Sequence, residues 1–262
     1  ANWTSESVDL IILATSTPSD LFGSAPIIQS KLGAKNAFAF DLTAACSGFL
    51  FALITASQYL KAGSYRRALV IGADQLSSYV DWSDRGSCIL FGDGAGAVAI
   101  ESNMDINNLC GFIMRTDGDR GSFLNLPSKN EIGTLNDDLV FKKGDFSTIT
   151  MNGQEVYKFA IREVPIIIEN LLKETKYSAK EIDWLLLHQA NQRILDAVGE
   201  RVKIAKSKVL SNLSNYGNTS AATIPLMLDE SVRNNKIKQN DLIISSGFGA
   251  GLSWGAALFR WG

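Results

Sequence analysis

The sequence predicts an α/β protein made of two similar halves, and three observations carry that reading. Residues 8–14 and 182–187 are aliphatic runs of the kind parallel strands show when helices cover both of their faces. Such runs alternate with helical stretches, the signature of α/β layers. The strands also recur in the same order at a near-constant spacing. Residues 8–13 match 182–187, and residues 68–72 match 242–246, both pairs at the same offset along the chain. Between them, Cys46 and its helix face Asn218 and the helix 220–232 at nearly that offset, and residues 96–100 find an echo in 255–259 at a shorter one. Self-similarity in this order points to an internal duplication.

Taken in order, residues 8–14 form a buried strand ending in Thr15-Ser16-Thr17-Pro18, a loop signal. Residues 25–32 read as a short helix stopped by Gly33. Residues 37–41 are a second strand, 47–61 a buried helix ended by Gly63, and 67–73 a third strand. Residues 94–100 begin glycine-rich and continue as a strand. From 102 to about 153, polar signals such as Asp117-Gly118-Asp119, Asn136-Asp137-Asp138 and Lys142-Lys143-Gly144 break up the apolar pieces, so this region is read as a connection with irregular strands. Residues 155–175 resume a helical period, with Val156, Phe159, Ala160, Val164, Ile167, Ile168, Leu171 and Leu172 on one face. The halves are therefore 1–153, connection included, and 154–262.

Composition narrows the function. A chain of 262 residues with 46% hydrophobic content can bury a sizeable core. A net charge of −2 offers no basic field for nucleic acid, which leaves small molecules or proteins as partners. Three cysteines without a CxxC pair and a single histidine make no standard zinc site, so no metal is expected and the thiols point to a reducing compartment. No apolar run reaches the roughly 18 residues a membrane span needs, and the start carries no signal-peptide pattern, so a protein off the membrane is expected. That start runs almost directly into a strand, with no initiating methionine.

A few polar residues break the pattern. Cys46, at the entry of an apolar helix, reads either as a small core residue or as a nucleophile. His188 ends a buried strand, where α/β sheets place ligand-binding groups, and reads either as such a group or as a histidine satisfied by a carbonyl. Asn218 precedes an apolar helix and reads either as a cap or as a donor to substrate. The duplication favours the functional readings, since it brings the starts of the two central helices together and aims His188 at the same face. A thiol at a helix N-terminus with a histidine to take its proton is then expected as a thiolate. Asn218 and a histidine N–H could hold an oxyanion. The glycines of Ser246-Gly247-Phe248-Gly249-Ala250-Gly251 allow close backbone approach, or simply a tight turn between strands; Gly92-Asp93-Gly94-Ala95-Gly96 is read as packing.

These motifs form a recognisable set. Asp41-Leu42-Thr43-Ala44-Ala45-Cys46-Ser47-Gly48, Phe91-Gly92-Asp93-Gly94-Ala95-Gly96-Ala97, His188-Gln189-Ala190-Asn191, Asn215-Tyr216-Gly217-Asn218-Thr219-Ser220 and Gly247-Phe248-Gly249-Ala250-Gly251-Leu252-Ser253-Trp254-Gly255 resemble β-ketoacyl-acyl-carrier-protein synthase III of the thiolase superfamily, over nearly the whole chain. The resemblance implies a thiolase-like fold in α/β/α/β/α layers and a cytoplasmic homodimer, or a stromal one in a photosynthetic eukaryote. It implies acetyl transfer from acetyl-CoA, a substrate rather than a cofactor, to Cys46. Condensation with malonyl-acyl-carrier protein would follow, with His188 and Asn218 stabilising the enolate. The backbone N–H groups of Cys46 and Ala250 would form an oxyanion hole, Arg85 would meet the CoA adenine, Arg193 the carrier protein, and Phe22 the partner's acyl pocket across the dimer. It also implies a further N-terminal segment, with a central strand of the first sheet and an adenine-stacking tryptophan, that this sequence does not contain. Residues 128–152 look longer than in compact members and could shape the tunnel rim or only the surface.

Two other functions fit the same residues: a condensing enzyme using another acyl starter in specialised metabolism, and a non-catalytic subunit of a heterodimer. The intact Cys46, His188 and Asn218 argue against the second.

Overall fold

The computed structural model describes residues 2–102, 108–136 and 139–262. The first half contributes β1 (Leu10–Ala14), α1 (Ala25–Leu32), β2 (Phe38–Leu42), α2 (Gly48–Lys61), β3 (Arg67–Gln75) and β4 (Asp93–Glu101). The connection carries β5 (Leu109–Thr116), β6 (Leu124–Asn125), β7 (Ser128–Asn136), β8 (Leu139–Phe146) and β9 (Thr150–Met151). The second half follows with α3 (Gly153–Thr175), β10 (Trp184–Leu187), α4 (Gln192–Arg201), α5 (Leu213–Tyr216), α6 (Thr223–Arg233), β11 (Leu242–Gly249) and β12 (Ser253–Arg260).

Two four-stranded sheets have the orders β2-β1-β3-β4 and β10-β11-β12-β5. In the first, β1 lies parallel to both β2 and β3, with Leu10 opposite Phe38 and Ala68, and β4 returns antiparallel. In the second, β10 and β11 are parallel and β12 and β5 antiparallel. β1 is buried along its whole length, as a strand covered on both faces must be. Helices α2 and α6 touch strands of both sheets and each other, α3 and α4 cover the far face of the second sheet, and α1 covers the far face of the first. The α/β/α/β/α layering implied by the resemblance is therefore present.

The central layer holds the core between the sheets: Phe49, Leu50 and Ile54 of α2 meet Leu10, Val70, Ile224, Leu228 and Ile243. Full burial of each such side chain stabilises the fold by about 1.5–3 kcal/mol. The helix expected from 155 begins already at Gly153, because the Asn152 side chain accepts the Glu155 backbone N–H and so caps it. Its apolar face then packs on β11, β12 and β5.

Three expectations change. The helix expected over 47–61 is preceded by a separate 3-10 turn, Ala45–Ser47, and the helix over 220–232 by Ser220–Ala222. Aligning these turns pairs Ala45 with Ser220, so the counterpart of Cys46 is Ala221 and that of Asn218 is Thr43. The first sheet is hydrogen-bonded from β2 through to β4, so it has no gap at its centre. The position without a described counterpart is the edge beside β4, where β5 stands in the second sheet. β12, covered there by β5, is buried from 254 to 259, whereas β4 is buried only at Val98. An edge can be hydrated where a central gap cannot.

The connection is more regular than its sequence suggests. β7 and β8 form an antiparallel hairpin above the short β6–β9 ladder, while β5, from the same region, belongs to the second sheet. Of the polar interruptions expected there, Asp137 and Asp138 lie outside the described residues. Among the described residues, no helix is long and apolar enough to cross a membrane.

Candidate active site

A cavity of about 110 Å³ is lined by Cys46, His188 and Asn218 together. Three loops deliver them: the turn before α2, the end of β10, and the turn before α6. Leu124, Met151, Val156 and Phe159 add an apolar wall, so the β6–β9 ladder and the start of α3 reach the cavity.

Cys46 sits in the Ala45–Ser47 turn, entered through Ala45 at φ 47°. Its side is closed by Gly249, where an added Cβ would lie 2.6 Å from the Cys46 nitrogen. Burial pushes the Cys46 thiol up to about 12; a hydrogen bond with the Ser220 hydroxyl and the residue's own N–H draw it back down, and the Asp74 carboxylate adds to the rise. The thiolate expected from the helix entry is thus not the resting form. Desolvation of the sulfur outweighs the helix end.

His188 is 1% exposed and is held on every side. Its backbone N–H donates to Ser246 O at 2.8 Å, its Nδ1 lies 2.7 Å from Thr223 Oγ1, and its ring meets Phe248 edge-on at 5.3 Å. Burial lowers its pKa to about 3, so the imidazole is neutral at pH 7. Neutral thiol and neutral imidazole, rather than an ion pair, face the cavity.

Asn218 is positioned at both ends. Its backbone N–H donates to Leu90 O and its carbonyl accepts from Gly92 N–H, each at 2.9 Å. Its Oδ1 accepts the Ser220 N–H at 2.9 Å, which leaves the amide NH₂ as the group that can donate to a guest. Among the described backbone hydrogen bonds, the N–H groups of Cys46 and Ala250 have no carbonyl acceptor, the Cys46 N–H meeting only its own sulfur.

The structure does not bring the other expected residues into this cavity. Arg85 and Arg193 are exposed and Phe22 is fully exposed, and none of the three lines it. It adds residues that the sequence reading passed over. Asp74 is 4% exposed and accepts from Ser16 N at 2.7 Å, from Thr15 Oγ1 and Thr17 Oγ1 at 3.2 Å, and from Ala221 N at 3.1 Å. It ties the end of β3 to the turn that carries Ser220. The signal for it was a lone carboxylate at the end of an aliphatic strand. Thr223 and Ser220, buried behind His188 and Cys46, carried no signal separate from an ordinary helix start.

Known proteins share this fold and these motifs. Residues 40–118 match the family model for 3-oxoacyl-[acyl-carrier-protein] synthase III, and residues 172–261 match that for its C-terminal part. The chain is 74% identical over 262 residues to a β-ketoacyl-[acyl-carrier-protein] synthase III of Prochlorococcus marinus (strain MIT 9515), covering all of this chain and 78% of that protein. Among solved structures it is similar to the 3-oxoacyl-[acyl-carrier-protein] synthase III of Aquifex aeolicus VF5, at TM-score 0.89 and 40% identity, covering 100% of this chain and 80% of that one. It is also similar to that of Pseudomonas aeruginosa PAO1, at TM-score 0.87 and 33% identity, covering 97% and 77%.

Proposed function

The chain belongs to the 3-oxoacyl-[acyl-carrier-protein] synthase III family, and we propose that Cys46, His188 and Asn218 carry out its chemistry. The reaction is the acyltransferase step that initiates fatty-acid synthesis: acetyl-CoA and malonyl-acyl-carrier protein condense to acetoacetyl-acyl-carrier protein, with release of CoA and CO₂. The observation that carries the residue assignment is the single cavity shared by the thiol, the imidazole and the Asn218 amide.

In the first half-reaction the Cys46 sulfur attacks the acetyl thioester, and the oxyanion is held by the backbone N–H groups of Cys46 and Ala250. That neither N–H donates to a backbone carbonyl supports this role. The C–S bond to CoA breaks and leaves acetyl-Cys46. In the second, the malonyl carboxylate leaves as CO₂ while His188 and the Asn218 NH₂ hold the enolate oxygen. The enolate carbon attacks the acetyl carbonyl and Cys46 leaves as the thiolate. No cofactor is needed, because the cysteine carries the acyl group and loss of CO₂ supplies the carbanion.

We read residues 1–153 and 154–262 as the two duplicated halves. Arg85 is assigned to CoA and Arg193 to the carrier protein; their exposure supports surface contacts of this kind. A cytoplasmic homodimer completes the reading, with Phe22, 100% exposed beside Leu21 at 80%, seated in the partner's acyl pocket. Phe22→Ala should weaken association in sedimentation velocity if that contact forms.

The decisive experiment incubates the chain with isotopically labelled acetyl-CoA and maps the label by peptide mass. Label on Cys46, absent in Cys46→Ala, is expected; label elsewhere, or none on folded chain, overturns the assignment.

A further inference from the structure

Thr223 stands directly behind His188. All three groups of this network are buried: His188 at 1%, Thr223 at 2% and Ser220 at 2% exposure. The Thr223 hydroxyl donates to the Ser220 carbonyl at 3.0 Å and lies 2.7 Å from His188 Nδ1. A hydroxyl has one proton. Once it is given to Ser220 O, the threonine oxygen can meet Nδ1 only as an acceptor, so Nδ1 must carry the hydrogen. In a neutral imidazole the other nitrogen, Nε2, is then a bare lone pair. Nδ1 is occupied by Thr223, which leaves Nε2 as the ring nitrogen available to the cavity.

We propose that Thr223 is a positioning residue that holds His188 in its Nδ1–H tautomer, so that the site first presents a proton acceptor and gains an N–H donor only by taking a proton from Cys46. This deepens the assignment of His188 and Cys46 above and rests on it. As the bond from Sγ to the acetyl carbon forms, the S–H proton passes to Nε2. The C–S bond to CoA breaks, and the CoA thiolate leaves and is protonated by solvent. The proton stored on Nε2 is then the N–H that holds the enolate oxygen when the malonyl group loses CO₂. When the new carbon–carbon bond forms, the bond from the acetyl carbon to Sγ breaks, and the Cys46 thiolate takes that proton back. Over the cycle one solvent proton is consumed, matching conversion of the malonyl carboxylate to CO₂. Neutrality of the resting imidazole, enforced by burial, is what makes the choice of tautomer decisive.

His188 is the only histidine in the chain, so its ring nitrogens can be read by ¹⁵N NMR without ambiguity. In the free chain Nδ1 should appear protonated and Nε2 unprotonated. Thr223→Val should shift the free chain toward the Nε2–H tautomer and slow single-turnover acetylation by about tenfold or more, within the range of general-base contributions; Thr223→Ser should restore both. A free chain with Nε2 already protonated overturns the proposal, as does a Thr223→Val spectrum identical to that of the parent. If Thr223→Val does not fold, the parent and Thr223→Ser spectra decide. Since the spectrum requires no turnover, failure of Cys46 to acetylate would overturn the catalytic assignment while leaving the tautomer to be read separately.

Discussion

Ala45 and Ser220 occupy the same place in the two halves and share a rare backbone: both are non-glycine residues in the left-handed region, at φ 47° and 51°. Each opens the 3-10 turn before a central helix. Each turn also lies against a glycine of the other half's sheet. Gly247 on β11 faces Ser47 and Cys46, and Gly72 on β3 faces Ala221, the two glycines standing at the same offset from each other as the two turns. The duplication therefore kept one strained corner twice and filled it differently, with a thiol in the first copy and with Ser220 and Thr223 in the second. Left-handed backbone costs roughly 1–2 kcal/mol per residue, so the surrounding contacts must hold both corners in place.

Gly72→Ala tests that crossing. The added Cβ would lie 2.2 Å from the Ala221 carbonyl oxygen, a backbone atom that cannot step aside cheaply. Overpacking of this kind costs about 1–3 kcal/mol or more. The urea midpoint should fall, and acetylation should fall with it because Ser220 and Thr223 ride on the same turn.

Asp74→Asn should make Cys46 more reactive. The carboxylate disfavours the thiolate through its charge, so removing that charge lowers the thiol pKa and raises the alkylation rate by iodoacetamide at a given pH. Asp74→Ala should instead destabilise the fold, because the part-buried N–H of Ser16 and the buried N–H of Ala221 lose their acceptor, at about 1–3 kcal/mol for a buried group left unsatisfied. Equal alkylation of Asp74→Asn and parent across pH would rule out the electrostatic role.

Ser220→Gly should act in the opposite direction on the thiol. Its hydroxyl lowers the Cys46 pKa, so its loss leaves less thiolate and slows alkylation at fixed pH. Glycine also relieves the left-handed strain, so the thermal midpoint should hold steady or rise. Slower alkylation in a chain of undiminished stability separates the two effects.

Stability should depend on pH through the same pair. The His188 pKa is lowered from 6.5 to about 3 by burial, so between those values the unfolded chain binds more protons than the folded one, and stability is lost as pH falls through that window. Cys46, raised from 9.0 to about 12, reverses the sign: the folded chain keeps a proton that the unfolded chain releases, and stability is lost as pH rises from about 9. His188→Gln should flatten the acid limb and Cys46→Ala the alkaline limb of the denaturation midpoint against pH. Limbs unchanged from the parent would show that neither group is buried as described.

Much of this protein could be read along the chain. The aliphatic runs of β1 and β10, the glycine stop after α1 and the apolar face of α3 follow from local periodicity, and the motifs around Cys46, His188 and Asn218 pointed to three loops that meet at one cavity. The repeat was visible too, although its register was not. Strand matching placed Cys46 opposite Asn218, whereas the turns place it opposite Ala221, because a short 3-10 turn precedes each helix and carries no sequence period of its own.

What the sequence determined by itself was thus the α/β alternation, the repeat of its strands and the three polar residues that meet at the cavity, all matters of residue type and spacing. Tertiary structure alone decided their chemical state. Whether Cys46 rests as thiol or thiolate depends on how much water its sulfur loses and on where Asp74 and Ser220 stand, the first beyond the next helix and the second in the other half of the chain. The nitrogen of His188 that carries its proton is set by one threonine hydroxyl brought up by a different helix. Desolvation and hydrogen bonding act through space at a few ångströms, and only the folded chain brings those groups within that range.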